Sequence, residues 1–147
     1  MRPPALRELA MVGLGAGLGS LARAGVAWLH LATLGPGFPF ATLAVNVVGS
    51  FLIGLAAATT APGGRFAASA DVRNLLLAGF CGGFTTFSIF GLETILLVAA
   101  GEGVRAGLYV GGSILGWLAA AWFGTRAGEA LNARPPSRRE RGRDAAS

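Results

Sequence analysis

Apolar residues fill most of the chain in four long runs, which short turn-forming sequences separate. A helix that crosses the hydrocarbon core of a bilayer needs about 20 mostly apolar residues. Segments of this kind occupy residues 6–31, 38–60, 72–99 and 104–126. Glycine or proline marks each connection, at residues 35–39, 61–65 and 100–103. The pattern predicts an all-α integral membrane protein with four transmembrane helices.

Composition agrees with this class. Only 13% of the 147 residues are charged and 53% are hydrophobic, whereas a soluble domain usually carries about 25% charged residues. We expect residues 1–126 to form one transmembrane domain. Residues 127–147 are rich in Arg and Pro, which predicts a disordered cytoplasmic tail.

The basic residues predict the orientation in the membrane. With four spans, both termini and the loop between the second and third spans lie on one side. Outside the distal tail, that side holds Arg2, Arg7, Arg65, Arg73 and Arg126. The other side holds only Arg105. The positive-inside rule therefore places the termini in the cytoplasm. Beside four apolar spans, the basic tail is better interpreted as solvated near anionic headgroups than as a nucleic-acid partner.

Few residues are suited to catalysis or to conventional metal binding. The chain has one cysteine, Cys81, and one histidine, His30. A disulfide within the chain and a zinc site of the usual ligands are therefore excluded. No nucleophile and base form a recognisable motif, so we do not expect an enzyme.

An unusual segment, Gly79-Phe-Cys-Gly-Gly-Phe-Thr-Thr-Phe-Ser-Ile-Phe90, lies inside the third apolar run. Glycines, hydroxyls and phenylalanines replace the Leu, Ile and Val of a plain lipid-facing helix. We expect the third helix to be broken here. A break within hydrocarbon is tolerated only where the backbone is buried in protein, lines an aqueous path or coordinates an ion.

Polar residues within the first two spans permit two interpretations each. Arg23 either attracts anions at a pore mouth or snorkels to an interface. Thr42, Asn46 and Ser50 share one helix face because they are four residues apart. They either line an ion path or form hydrogen bonds between helices.

The last two spans carry further candidates. Phe87 and Phe90 share a face; such pairs usually pack in a core, although their electropositive ring edges can also meet an anion. Glu93 continues this face as a candidate counter-ion or proton site. Tyr109 and Ser113 share a face of the fourth span.

These motifs resemble the Fluc (CrcB) family of small fluoride channels over roughly residues 13–125. The resemblance rests on Gly15-Ala-Gly-Leu-Gly-Ser-Leu-Ala-Arg23, on Thr42-Leu-Ala-Val-Asn-Val-Val-Gly-Ser-Phe51, and above all on the third-span segment from Gly79 to Glu93. It implies an antiparallel dimer of four-helix subunits with two fluoride pathways. The implied pathway residues are Arg23, Thr42, Asn46, Phe87, Ser88, Phe90, Glu93, Tyr109 and Ser113.

The resemblance also implies a structural sodium ion at the dimer interface, held by the backbone carbonyls of Gly82 and Thr85. The chain departs from the family pattern at Ile89, where Thr is common, and at Trp117 and Ala121, where a track of hydroxyls is expected. We expect these departures to weaken one of the two pathways.

The arginine bias affects the expected partner. An antiparallel homodimer needs one sequence to insert in both orientations, which a strong charge bias opposes. The chain either inserts in both orientations or pairs with an oppositely oriented homologue.

The resemblance implies passive export of fluoride across the cell membrane. The alternatives are a small proton-coupled exporter of cationic compounds and a scaffold whose polar residues only join helices. An exporter of that kind needs a carboxylate on the first span, where Arg23 stands and the only acid, Glu8, lies at the end. A scaffold leaves the third-span motif unexplained.

Overall fold

The structure is a computed structural model that describes residues 6–35 and 37–133, and these ranges contain helices and loops without a strand. In chain order the elements are α1 (Leu6–Leu34), α2 (Phe40–Thr59), α3 (Ala70–Arg73), a π-helical segment (Asn74–Cys81), α4 (Gly82–Phe84), α5 (Ser88–Ala99) and α6 (Gly103–Asn132). By length and composition, four stretches suit a membrane crossing: α1, α2, α6 and Ala70–Ala99, which we call the third span. The predicted all-α class with four spans is confirmed.

The ends of the helices differ from the predicted bounds, most clearly at α6. This helix continues to Asn132, six residues beyond the predicted end at residue 126. The Asn132 side chain explains the extension, because its Nδ2 donates to the Ala58 carbonyl at 2.9 Å and its Oδ1 accepts from the Arg65 N–H at 2.8 Å. Residues 127–132 therefore belong to the helix and not to the predicted disordered tail. Residues 134–147 of that tail lie outside the described residues.

Short loops join the spans, and the loop after the third span is closed by a glycine. Gly101 has a φ of 78°, a left-handed conformation that side chains other than glycine rarely adopt. Its N–H donates to the Val98 carbonyl at 3.0 Å, and the N–H of Glu102 donates to the Leu97 carbonyl at 2.9 Å. This pair of bonds is the Schellman arrangement that ends a helix.

Close packing joins α1 to the first half of the third span. A Cβ atom at Gly15 would meet the backbone of Leu75 and Phe80, and one at Gly19 would meet the backbone of Phe80 and Phe84. Glycine at these two positions therefore lets the two backbones approach each other directly. We call this contact the glycine interface.

The neighbouring glycines of α1 are in a different environment. A Cβ at Gly13 or Gly17 would have no non-local atom within 4 Å. Because these four glycines alternate along the sequence, they cannot all share one face of the helix. Among them, only Gly15 and Gly19 closely approach another element of the described chain.

Large apolar side chains cover the outside of the bundle. Exposed residues of this kind include Leu14, Leu18, Trp28, Leu96, Leu115 and Leu118. In water such a surface would be unfavourable, whereas it matches the acyl chains of a bilayer. The core is small, and much of it surrounds polar side chains of α2 and α6, including Thr42, Asn46, Tyr109 and Ser113.

Candidate functional site

The third span is interrupted between α4 and α5. Thr85 is extended, with φ −84° and ψ 160°, and helical geometry resumes at Ser88. Asn46 of α2 provides hydrogen bonds at this interruption. Its Nδ2 donates to the Thr86 carbonyl at 2.8 Å and its Oδ1 accepts from the Thr86 N–H at 2.7 Å. The amide thus satisfies both backbone groups of Thr86. Of the two interpretations of Asn46, the hydrogen bond between helices is the one that these contacts match.

This pairing changes the hydrogen bonding of two nearby carbonyls. In an α-helix each carbonyl accepts from the N–H four residues later. For Gly82 that donor is Thr86, whose N–H bonds to Asn46 instead. For Thr85 the donor is Ile89, whose N–H donates to the Thr86 hydroxyl at 3.3 Å. The carbonyls of Gly82 and Thr85 are therefore deprived of their usual helical donors.

Arg23 contacts the end of α4 from across the glycine interface. Its Nε donates to the Gly83 carbonyl at 3.2 Å, and Ser20 Oγ donates to the same oxygen at 3.4 Å. A cation is favourable beside the carbonyl end of a helix. Arg23 is half-buried, so it is in contact with protein as well as near a surface.

Glu93 joins three helices. Thr42 of α2 donates to its Oε1 at 2.8 Å, and the hydroxyl of Tyr109 on α6 donates to its Oε2 at 2.7 Å. Both donors are buried, with exposed fractions of 5% for Thr42 and 1% for Tyr109. Each carboxyl oxygen of Glu93 therefore has a hydroxyl donor, and this cluster holds α5 against α2 and α6.

Phe87 and Phe90, the last two of the four phenylalanines in the motif, have opposite environments. Phe90 is buried between Tyr109 and Trp117, at ring-centroid distances of 5.1 Å and 4.8 Å. Phe87 is 75% exposed, although its ring lies 5.5 Å from that of Phe90. Core packing thus describes Phe90, while Phe87 presents its ring at the surface of the chain. Ser88 is also exposed.

Two cavities lie beside the interruption. The larger has a volume of about 300 Å³ and is lined by Asn46, Gly49, Ser50, Ile53, Cys81, Gly82, Thr85, Thr86, Phe87 and Trp117. The smaller, of about 240 Å³, is lined by Ser20, Arg23, Ala24, Ala27, Ala41, Thr42, Val45, Thr86 and Ile89. Thr86, the residue whose backbone Asn46 holds, lines both cavities.

The predicted site residues are therefore divided between the larger cavity, the smaller cavity and positions outside both linings. Asn46, Phe87, Gly82 and Thr85 surround the larger cavity. Arg23 and Thr42 line the smaller one. Neither lining includes Ser88, Phe90, Glu93, Tyr109 or Ser113.

Three contributors to the site were not singled out from the sequence. Gly83 acts through its carbonyl, and Thr86 bonds to Asn46 through its backbone groups, which no side-chain pattern reveals. Trp117 stood out only as a departure from the family pattern. The one available signal was Asn46 itself, because an amide inside a membrane span requires partners.

Two buried polar atoms of α6 have no hydrogen-bond partner among the described residues. They are Ser113 Oγ and Trp117 Nε1. Leaving a buried polar group unpaired costs roughly 1–3 kcal/mol. Each such atom in a native fold therefore calls for an explanation.

Four apolar spans around a buried polar cluster define a multi-pass membrane protein. Residues 10–125 match the family described as "CrcB-like protein, Camphor Resistance (CrcB)". The chain belongs to the CrcB family, and the resemblance predicted from its motifs is confirmed.

Relatives in several bacteria cover most of the chain. A protein of Rhodopseudomonas palustris named "Fluoride-specific ion channel FluC 1" is 44% identical over 84% of this chain and 87% of its own length. Proteins named "Fluoride-specific ion channel FluC" are 46% identical in Opitutus terrae, over 82% of this chain and 92% of the relative, and 48% identical in Chlorobaculum tepidum, over 82% and 93%. These names describe ion channels and not enzymes, in agreement with the expectation from the sequence.

Proposed function

We propose that this chain is a subunit of a fluoride-selective channel that lowers cytoplasmic fluoride by passive export. The observation that carries the proposal is the identity of 44% to 48%, over more than four fifths of the chain, to relatives named fluoride-specific ion channels. Fluoride enters a cell as the weak acid HF and is trapped as the anion at cytoplasmic pH. A selective leak for the anion relieves this accumulation without a catalytic group.

The geometry supports a path for a small anion along the interrupted span. Aromatic ring edges are electropositive, and Phe87 presents an exposed ring beside Asn46 on the larger cavity. In a narrow path, such edges and hydrogen-bond donors replace the hydration shell of the ion. The guanidinium of Arg23, on the smaller cavity, attracts anions towards the same region.

The remaining pathway residues lie further along. Ser88 adjoins Phe87 at the surface, and Phe90 lies behind Phe87 in the core. Beyond Phe90, the Thr42, Glu93 and Tyr109 cluster and the Ser113 hydroxyl continue the polar face of the bundle. In the proposal the serine hydroxyls and the ring edge of Phe90 replace water around the anion in turn. Glu93, whose carboxyl oxygens accept from Thr42 and Tyr109, lies along the path.

A structural sodium ion fits the interruption chemically. Carbonyl oxygens are hard ligands that suit a hard cation, and those of Gly82 and Thr85 are deprived of their usual helical donors. Both residues would hold the ion at an interface between two subunits, and its charge would favour anions nearby. Purification in a large organic cation without sodium should then lower the temperature at which the assembly dissociates. An unchanged dissociation temperature would argue against the ion.

An antiparallel dimer is the proposed assembly, and the arginine bias leaves its partner to be tested. The side of the termini holds five arginines outside the distal tail, against one on the other side. We favour pairing with an oppositely oriented homologue. A Cys81→Ser chain with one new cysteine at a terminus reports orientation through labelling from each side of the membrane. Labelling of that terminus from both sides shows dual insertion and supports a homodimer instead.

Fluoride efflux from liposomes that contain only this protein tests the function. A fluoride electrode follows release, and chloride release is the selectivity control. Fast fluoride-selective release supports both the channel and self-sufficient assembly. If no fluoride is released, the protein is reconstituted together with an oppositely oriented homologue. Absence of fluoride release from that pair as well would contradict the proposal. Transport of a cationic dye that depends on a proton gradient, without fluoride release, would favour the exporter.

The ring of Phe87 allows a sharper version of the test. We expect Phe87→Ile to lower fluoride flux roughly tenfold, the effect of about 1.4 kcal/mol, while the chain still assembles because this ring is largely exposed. The matched control is Phe123→Ile, which changes a different exposed ring, one that belongs to α6. Equal flux in the two variants would show that the ring of Phe87 serves only packing. A substitution of Phe90 is a less suitable test, because this ring is buried and its loss would change the stability of the fold as well as the flux.

A further inference from the structure

Two unpartnered polar groups lie one helical turn apart on α6. Ser113 has an exposed fraction of 0%, and neither its Oγ nor Trp117 Nε1 has a hydrogen-bond partner among the described residues. Residues four apart share one face of a helix. Tyr109 and Trp117 both contact the ring of Phe90, so Ser113 lies between the two turns that hold this ring.

The chemistry of the two groups limits what they can bind. An indole N–H only donates, and a serine hydroxyl can donate as well. Buried donors of this kind require an acceptor, and a halide anion only accepts. Trp117 also lies on the wall of the larger cavity, together with Asn46 and Phe87. The unpartnered indole donor is thus next to the region through which the proposed function moves an anion.

We propose that the indole N–H of Trp117 donates a hydrogen bond to fluoride as it passes α6. Trp117 then performs in this chain the task of a hydroxyl one turn beyond Ser113, and its presence does not weaken the pathway. This inference rests on the proposed function and names a residue that determines selectivity.

The contact with Phe90 prepares the indole for this role. The two rings meet edge to face, with centroids 4.8 Å apart and an interplanar angle of 73°. Such aromatic contacts have preferred geometry, so the contact restricts the orientation of the indole. A donor whose orientation is fixed in advance loses little entropy when it binds an anion.

Removal of the indole N–H alone provides the first test. Trp117→Phe keeps an aromatic ring against Phe90 but has no donor, and we expect it to lower fluoride flux roughly tenfold or more. Trp117→Ser places a hydroxyl at the same position and should recover part of the lost flux. The matched control is Trp122→Phe, the same change on the same helix at a ring that is 57% exposed. Trp117→Phe with the flux of the control would overturn the proposal.

A second readout follows binding itself and does not depend on a folded variant at position 117. The chain has three tryptophans, Trp28, Trp117 and Trp122, and Trp28→Phe and Trp122→Phe identify the Trp117 indole proton by elimination in NMR spectra of nitrogen-15-labelled protein. We expect this proton to shift downfield with a saturable dependence on sodium fluoride and to remain unchanged with sodium chloride. No fluoride-specific shift would overturn the inference.

The two readouts separate this inference from the proposed function. If the protein conducts fluoride but the Trp117 proton does not respond, only the role of Trp117 fails. If the proton responds but no fluoride is released, even with a homologous partner, anion binding by Trp117 stands and the channel function fails.

Discussion

The glycine interface and the polar interface around Asn46 and Glu93 join helices by opposite means. At Gly15 and Gly19 the backbones meet so closely that no Cβ fits. Around Asn46 and Glu93 the elements are held by side-chain hydrogen bonds of 2.7–2.8 Å. The first contact leaves no space, whereas the second is accompanied by cavities lined by Asn46 and Thr42.

The difference indicates how a small membrane protein separates stability from function. Between apolar helices in lipid, association depends on close packing and on polar contacts, because burial from water adds little. Close packing at the glycine interface provides a rigid support for the third span. Hydrogen bonds at the polar interface permit an interrupted backbone and space for an ion beside it.

The largest effect should come from removal of the amide at Asn46. Asn46→Leu has similar volume but leaves the N–H and carbonyl of Thr86 without their partner. Two unpaired groups should lower the free energy of unfolding by roughly 2–6 kcal/mol. Thermal unfolding in detergent measures this change.

Ser50→Ala is the control for Asn46→Leu. Ser50 lies one turn further on the same stripe and lines the same cavity. We expect a change within about 0.5 kcal/mol. If both variants unfold at the temperature of the unmodified protein, the polar interface does not depend on Asn46.

A smaller effect is expected at the glycine interface. Gly19→Ala places a methyl group against the backbone of Phe80 and Phe84, and overpacking of this kind costs roughly 1–3 kcal/mol. Gly17→Ala is the matched control on the same helix, since its Cβ would have no non-local atom within 4 Å. Equal unfolding temperatures for the two alanine variants would contradict the close approach of α1 to the third span.

The smallest single effects should come from the Glu93 cluster. Tyr109→Phe and Thr42→Val each remove one donor to the carboxyl group, which should cost roughly 0.5–1.5 kcal/mol. The double variant removes both donors, and we expect it to lose more than the sum of the two. Strict additivity in thermal unfolding would show that the two hydroxyls do not share Glu93.

The sequence predicted the spans better than their ends. Runs of apolar residues identify a membrane helix because a bilayer requires a minimum length. The helix α6 continues six residues beyond the predicted end of the fourth span, because Asn132 bonds to Ala58 of α2 and to Arg65 in the loop after α2. A local pattern contains no information about such long-range bonds.

The candidate site shows the same division. The spacing of Thr42 and Asn46 predicted that they share a face, but it left open whether they bind an ion or another helix. Their observed partners, Glu93 and Thr86, are separated from them by 51 and 40 residues along the chain. Only packing of the helices brings these groups within hydrogen-bond distance.

The sequence alone determined the class, the family and the types of polar group available inside the membrane, because these follow from composition, length and motif. Tertiary structure decided that the carbonyls of Gly82 and Thr85 lost their helical donors and that the ring of Phe87 became exposed. It also decided which donors of α6 have no partner among the described residues. The physical reason is that a hydrogen bond or a cavity depends on distances between elements that are remote along the chain, whereas hydrophobic periodicity is a local property of each element.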